Sequence, residues 1–420
     1  MNVSDPERGA QRAFAIATVS KYPPYVSGHA SQAFWNNRAM AQRLDSSVVQ
    51  ISYCGPIPDA FVRDEVEVHH VAVDAGANPK SPDGHLIKAV AGTLVGLAEE
   101  QGLDAVIAMY ADPHALMALS ARRALQLRGQ ALHVAVSVEG SDLTDSICSH
   151  LDDGEGLAML ADVCDADSVF TVSHAAAQML LSALAQVADS ESVERLRSRL
   201  VVRHPGLPPE YFDRAASRQV NQWRSRLGIP PYARVVSSQM RLVVEKGPDV
   251  LLDLAERAVS SRRDDLFFVL AGAGPLLADL AERAEAMGNC AVVANPDPDE
   301  ARVMRSASAM GIFPSRPIAG WTETFGIAPL EYQALGVPVL VSDLPAFEES
   351  CAPQMPRVGV GETSLQWWSA LESLLPRAPE LAQVAREFAR PFTAASSADV
   401  MLDAIAGAGA GAGAAPRMGA

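Results

Sequence analysis

Short β-branched runs alternate with stretches of helical apolar spacing along most of this 420-residue chain. In the first half, AFAIAT (13–18), SVVQIS (47–52), VEVHHV (66–71), DAVIAM (104–109), ALHVAVS (131–137), SVFTVS (168–173) and LVVRH (200–204) predict strands. Helical patterns lie between most of them, at 30–44, 85–100, 113–128 and 174–188. Prolines and a glycine in PGLPPEY (205–211) break the pattern, which then restarts. Strands are predicted at 233–238, 266–271, 290–294, 309–313 and 338–342, with helices near 248–261, 276–288, 299–307 and 327–336.

Alternation of this kind implies parallel sheets covered by helices on both faces. A chain of this length exceeds one ordinary core. The expected fold is therefore α/β, with two Rossmann-like, doubly wound parallel-sheet domains in series, spanning 1–207 and 208–392. Ligands of such sheets bind beyond the carboxyl ends of the strands, so the cleft that the two domains are expected to face is where chemistry is sought. The Gly/Ala run that follows, 407–420, is a low-complexity tail.

Composition narrows the partners. A net charge of −16 argues against nucleic acid, whose phosphates require a basic face. The five cysteines are scattered and never spaced as CxxC, which fits reduced thiols in the cytoplasm and supports neither a zinc site nor a disulfide frame. The N-terminal MNVSDPERGAQR has no apolar core of a signal peptide, and no apolar stretch approaches the ~20 residues of a membrane span. The clusters Arg122/Arg123/Arg128 and Arg195/Arg197/Arg199 are short, so membrane docking is not expected. Composition leaves the oligomeric state open.

Candidate chemistry falls just after strands of the second half. QMRLVVEKG puts Arg241 and Lys246 on the loop after 233–238, and AGAGP puts Gly272 and Gly274 after 266–271. PSRPIAGWTETFG follows 309–313 and leads into the helical IAPLEYQAL, with Gly326 at its start. A helix N-terminus preceded by glycine suits an anion. Glu323 and Glu331, eight residues apart, lie on the loop and a turn inside that helix, so they can meet different parts of one elongated ligand. Two glutamates at a helix start are, in isolation, more often surface acids; the company of the Arg/Lys pair and the glycine loops favours a site. AGAGP alone could open a nicotinamide site, but Leu277 stands where GxGxxG needs its third glycine. The DxD pairs Asp165/Asp167 and Asp297/Asp299 read as solvated acids, and His69 and His70, on opposite faces of a strand, cannot share a metal. No metal or cofactor is expected.

In order and spacing, MRLVVEKG, AGAGP, FPS, ETFGIAPLE and ALGVPVLVSDLP resemble the donor-binding domain of retaining glycosyltransferases of family 4, which have two Rossmann-like domains (the GT-B fold). YPPYVSGHA (22–30), ADSVFTVSHAA and VVRHPGL extend the resemblance loosely over the first half. It implies a nucleoside-diphosphate-sugar donor, UDP or GDP, with Arg241, Lys246 and Glu323 as catalytic residues. Arg241 and Lys246 meet the diphosphate, Glu323 the transferred sugar, Glu331 the ribose, and Phe325, Gly326 and Ile327 the sugar and phosphates by backbone. Gly28, Gly272 and Gly274 complete the donor site. The resemblance also implies that a C-terminal helix, about 393–406, packs back on the first domain. Where the family often has His-Gly, this chain has Glu139-Gly140, so Glu139, Asp142 and His29 become candidates for the sugar or acceptor, although Glu139-Gly140-Ser141-Asp142 is also good turn chemistry. The expected acceptor is a small soluble molecule, such as a specialised metabolite in antibiotic assembly. The alternatives are a sugar-nucleotide epimerase and a non-catalytic nucleotide-sugar-binding protein.

Overall fold

The computed structural model describes residues 14–20, 28–46, 48–53, 66–71 and 84–410. Most of the first-loop motif, Cys54 and residues 411–420 lie outside them. By contact the chain divides into two compact units, one of residues 1–138, 158–170 and 398–420, the other of 139–157 and 171–397.

A seven-stranded sheet is built from β1 (Ile16–Val19), β2 (Val48–Ser52), β3 (Val66–His70), β4 (Ala105–Ala108), β5 (His133–Val138), β6 (Ser168–Thr171) and β7 (Leu200–Val202), in the order β3-β2-β1-β4-β5-β6-β7. A six-stranded sheet contains β8 (Arg234–Gln239), β9 (Leu266–Gly272), β10 (Cys290–Ala294), β11 (Ser308–Phe313), β12 (Val339–Ser342) and β13 (Arg357–Val358), ordered β10-β9-β8-β11-β12-β13. The pairing is parallel, as between β8 and β9 (Val236 opposite Phe268) and between β1 and β4 (Ala17 opposite Val106). Central strands such as β1, β4, β9 and β12 are buried at nearly every position, because helices cover both faces.

All twelve strands expected from the pattern are present, and among the described residues only the two-residue β13 was not expected. Helices are less fully anticipated. Glu155–Asp165, Ser190–Arg197, Ser217–Arg226, Ser364–Leu374 and Ala378–Ala389 form without having been expected. Ser217–Arg226 buries only Trp223, so its apolar stripe is too thin to read. Ser364–Leu374 had a legible start: Gln366 Oε1 accepts the Thr363 N–H at 2.9 Å, the return half of a capping box. The last helix, Ala394–Ala410, runs into the Gly/Ala segment, and its Asp399 pairs with Arg43 of Gly28–Leu44 at 3.0 Å.

Strand order in each sheet reverses beside its first strand. In the six-stranded sheet this switch lies between β8 and β11, which are neighbours. Chain leaving their carboxyl ends is thus placed where doubly wound sheets bind ligands.

Candidate active site

Both loops at that switch carry predicted residues. After β8, Leu242 donates its N–H to the Ala273 carbonyl at 2.8 Å, and the turn Val244–Lys246 follows. Lys246 points into the site: its Nζ lies 2.6 Å from Glu323 Oε2 and 4.8 Å from the centre of the Trp321 ring. The two side chains are 18% and 12% exposed. Ser315 Oγ donates to the same Glu323 oxygen at 3.1 Å. Arg241 is exposed instead, with a long 3.5 Å contact to Glu245. The sequence pair is therefore split into one inward and one solvent-facing cation.

Gly272 has φ of +149°, and a Cβ there would stand 1.9 Å from the Met240 carbonyl oxygen. The missing side chain thus admits the chain's own β8 loop. Gly274 closes on the Leu242 carbonyl in the same way. Gly326, at φ +90° and ψ 74°, opens the helix Ile327–Ala334, and a Cβ there would meet Phe347 Cε1 at 2.5 Å. A left-handed backbone with no room for a side chain explains why glycine stands there. Phe325 is buried, its ring 5.6 Å from that of His204 and 6.1 Å from that of Phe392, which leaves its backbone as the part able to meet a ligand.

Glu331 sits within the helix beneath this loop. Its Oε2 accepts from Arg305 Nη1 at 2.8 Å, and the same nitrogen donates to Gln239 Oε1 at 2.6 Å. Burial pushes the Glu331 carboxyl above its ordinary range, and the Arg305 charge opposes that. Arg305 and Gln239 were not anticipated; the available signal was a charged residue on the inward side of a predicted helix.

Glu139 and Asp142 follow β5. Asp142 is buried and accepts the backbone N–H groups of Glu139 (3.0 Å), Gly140 (2.7 Å) and Leu143 (3.1 Å), holding the turn into the π-helical Asp142–Ile147. The Glu139 carboxylate pairs with Arg203, whose side chain is fully buried. Thr324 Oγ1 donates to the Glu139 carbonyl at 3.1 Å, and Ser173 Oγ donates to the Thr324 carbonyl at 2.5 Å, so the 139–142 turn and the Glu323–Gly326 loop share partners. Gly28 and His29 begin the helix Gly28–Leu44; the His29 side chain is outside the described residues.

One carboxylate in this unit was missed. Glu349 accepts from the backbone N–H groups of His174 (2.8 Å) and Ala175 (3.1 Å) and from His204 Nε2 (2.9 Å). Burial works against its ionisation, yet the hydrogen bonds from His204 and the two N–H groups hold its carboxyl below the ordinary range.

The remaining charged motifs find structural partners. Asp165 and Asp167 bind Arg122 at 3.0 and 3.2 Å, so one DxD pair and one basic cluster satisfy each other rather than facing solvent alone. Asp297 caps the helix Pro298–Ala307 by accepting the Glu300 N–H at 2.8 Å. Among the described residues no group of three or more His, Cys, Asp or Glu side chains could hold a metal ion. No described helix is long and apolar enough to cross a membrane.

Residues 219–363 match the family model of glycosyl transferases group 1. A D-inositol 3-phosphate glycosyltransferase of Corynebacterium urealyticum is 31% identical over 208 residues, 47% of this chain and 48% of that protein. One from Stackebrandtia nassauensis is 28% identical over 275 residues, 61% of this chain and 57% of the relative. The chain thus spans about half the length of the curated relatives it matches. Among solved structures, Anabaena HepE in complex with UDP and glucose superposes with a TM-score of 0.69 at 14% identity, covering 93% of this chain and 98% of that one. A glycosyltransferase from Rickettsia africae gives 0.69 at 16% identity, covering 95% and 99%. Residues 219–363 thus match the group 1 glycosyl transferase family, and the two parallel sheets give the chain the GT-B fold of its solved neighbours.

Proposed function

We propose that this protein is a retaining glycosyltransferase that moves a sugar from a nucleoside diphosphate, UDP or GDP, to a small hydroxyl-bearing acceptor. The observation that carries the reading is the pairing of Lys246 with Glu323 at the β8/β11 switch, with the helix N-terminus at Gly326 and the carboxylate of Glu331 alongside. Relatives described as D-inositol 3-phosphate glycosyltransferases and a neighbour solved with UDP and glucose support the reaction class and favour uridine. A soluble specialised metabolite is the acceptor class we favour.

In this reading the acceptor oxygen bonds to the anomeric carbon on the face from which the phosphate oxygen leaves. The acceptor proton passes to the departing diphosphate, so no protein nucleophile enters the balance. Lys246 and the N–H groups at the start of Ile327–Ala334 stabilise the charge that develops on the leaving group, a fixed contribution needing little reorganisation. Arg241, exposed in the free protein, reaches the diphosphate only if its side chain turns from Glu245. Glu323 accepts from a hydroxyl of the sugar and orients it. No metal enters this scheme.

The test is a thermal-shift panel of UDP-, GDP-, ADP- and TDP-sugars, followed by turnover with polyol and aminocyclitol acceptors in the presence and absence of EDTA. A donor at 100 times its Kd stabilises the fold by about 2.7 kcal/mol. Release of nucleoside diphosphate together with an α-linked product from an α-linked donor supports the proposal. Conversion of one sugar nucleotide into another without release would establish the epimerase, and loss of turnover in EDTA would refute the metal-free scheme.

A further inference from the structure

Beneath the donor loop, four elements converge on one buried cation. Arg305 lies on the helix Pro298–Ala307, Glu331 on Ile327–Ala334, Gln239 at the end of β8, and Tyr211 on the turn Pro209–Phe212. The Arg305 side chain is 2% exposed, and its Nη1 donates to both Glu331 Oε2 and Gln239 Oε1. Its Cζ stands 5.2 Å from the centre of the Tyr211 ring.

Two details set this cluster apart from an ordinary core ion pair. Arg305 Nε is buried with no hydrogen-bond partner among the described residues. An orphaned buried donor is unfavourable by about 1–3 kcal/mol, and replacing a buried ion pair by apolar side chains is often neutral or stabilising. Stability is thus a poor reason for the arrangement. In addition, only Oε2 of Glu331 is engaged; Oε1 has no hydrogen-bond partner among the described residues, and the side chain is 12% exposed. One oxygen is fixed from below and the other is left for a ligand.

We propose that Arg305, with Gln239 orienting its guanidinium, is a positioning residue that fixes one oxygen of the Glu331 carboxyl and aims the other at the ribose hydroxyls of the donor. This rests on the donor-binding reading above and deepens it, because it assigns ribose discrimination to a cation that does not touch the ligand. Burial favours the neutral acid of Glu331, and the Arg305 charge opposes that shift, so losing Arg305 leaves the carboxylate less favoured. An ionised carboxylate can only accept, so it pairs with a hydroxyl and gains nothing from a deoxy sugar.

The experiment compares calorimetric affinities for UDP, 2′-deoxy-UDP and 3′-deoxy-UDP, with inorganic pyrophosphate as a probe of the phosphate site alone. Wild type is expected to prefer UDP over at least one deoxy analogue by about 10- to 100-fold, the worth of a hydrogen bond to a charged group. Arg305→Met is expected to lose most of that preference with pyrophosphate affinity within about twofold of wild type, an equality we set as the control. Arg305→Lys, which keeps the charge but not the fork, should fall between them, and decides the matter if the methionine variant does not fold. A preference retained in the variants despite a lower Tm would overturn the proposal and leave Arg305 a structural residue. Wild type that binds UDP and both deoxy analogues alike would refute the ribose reading of Glu331, and this proposal with it, while pyrophosphate binding would still report on the phosphate site.

Discussion

The Lys246–Glu323 contact makes an unusual demand of the free protein, because the cation meant for the diphosphate is held by the carboxylate meant for the sugar. The two substitutions Lys246→Met and Glu323→Gln should therefore act in opposite directions on nucleotide binding. A phosphate oxygen touching Lys246 would lie about 5 to 6 Å from the Glu323 carboxylate, and at an effective dielectric near 20 that repulsion is roughly 3 kcal/mol per unit charge before screening. Glu323→Gln removes it and frees the ammonium, so affinity for UDP should rise by about 10-fold or more once solvent and salt reduce the figure. Turnover should nevertheless fall, since the sugar loses its acceptor. Lys246→Met should weaken UDP and also slow turnover by about 10² to 10³, or ~3–4 kcal/mol, as for a lost oxyanion donor. Its stability should fall by roughly 2–3 kcal/mol, between the values for exposed and fully buried pairs, because Glu323 keeps only Ser315 among its described partners. Calorimetry with UDP at two salt concentrations, beside single-turnover rates, measures both. Glu323→Gln binding UDP no better than wild type, or Lys246→Met binding it equally well, would show that the pair does not govern the phosphate site.

Three further outcomes are open to direct measurement. Glu139→Ala should destabilise by roughly 3–5 kcal/mol in urea unfolding by removing the carboxylate that pairs with the buried Arg203 cation, whereas the double variant Glu139→Leu/Arg203→Met should recover much of the loss. Gly326→Ala should lose about 1–3 kcal/mol from backbone strain alone, with a further loss from the clash on Phe347, and should weaken nucleotide binding in the thermal-shift assay. Glu349 has a folded-state pKa below its unfolded value, so its contribution is present above the unfolded pKa and lost as pH falls through the folded one; Glu349→Gln should lower Tm at pH 7, and the difference from wild type should shrink below about pH 4.

What the sequence determined by itself is the order of elements and the local chemistry. Twelve strands, the positions of the loops that follow them, and the glycine at the head of Ile327–Ala334 are all written in short-range pattern, because strand burial, turn residues and helix starts depend on neighbours in the chain. Tertiary structure alone decided which charges meet. Lys246 and Glu323 are 77 residues apart, and Glu139 and Arg203 are 64 apart. Nothing local distinguishes the inward Lys246 from the outward Arg241, five positions earlier. Glu139, a candidate for the ligand, pairs with Arg203, while Arg305, marked only as a charge on the inward side of a predicted helix, became the support of Glu331. Hydrophobic spacing reports which face of an element is buried, but the partner of a buried charge is fixed only when the sheet order brings β8 beside β11 and their loops to one place.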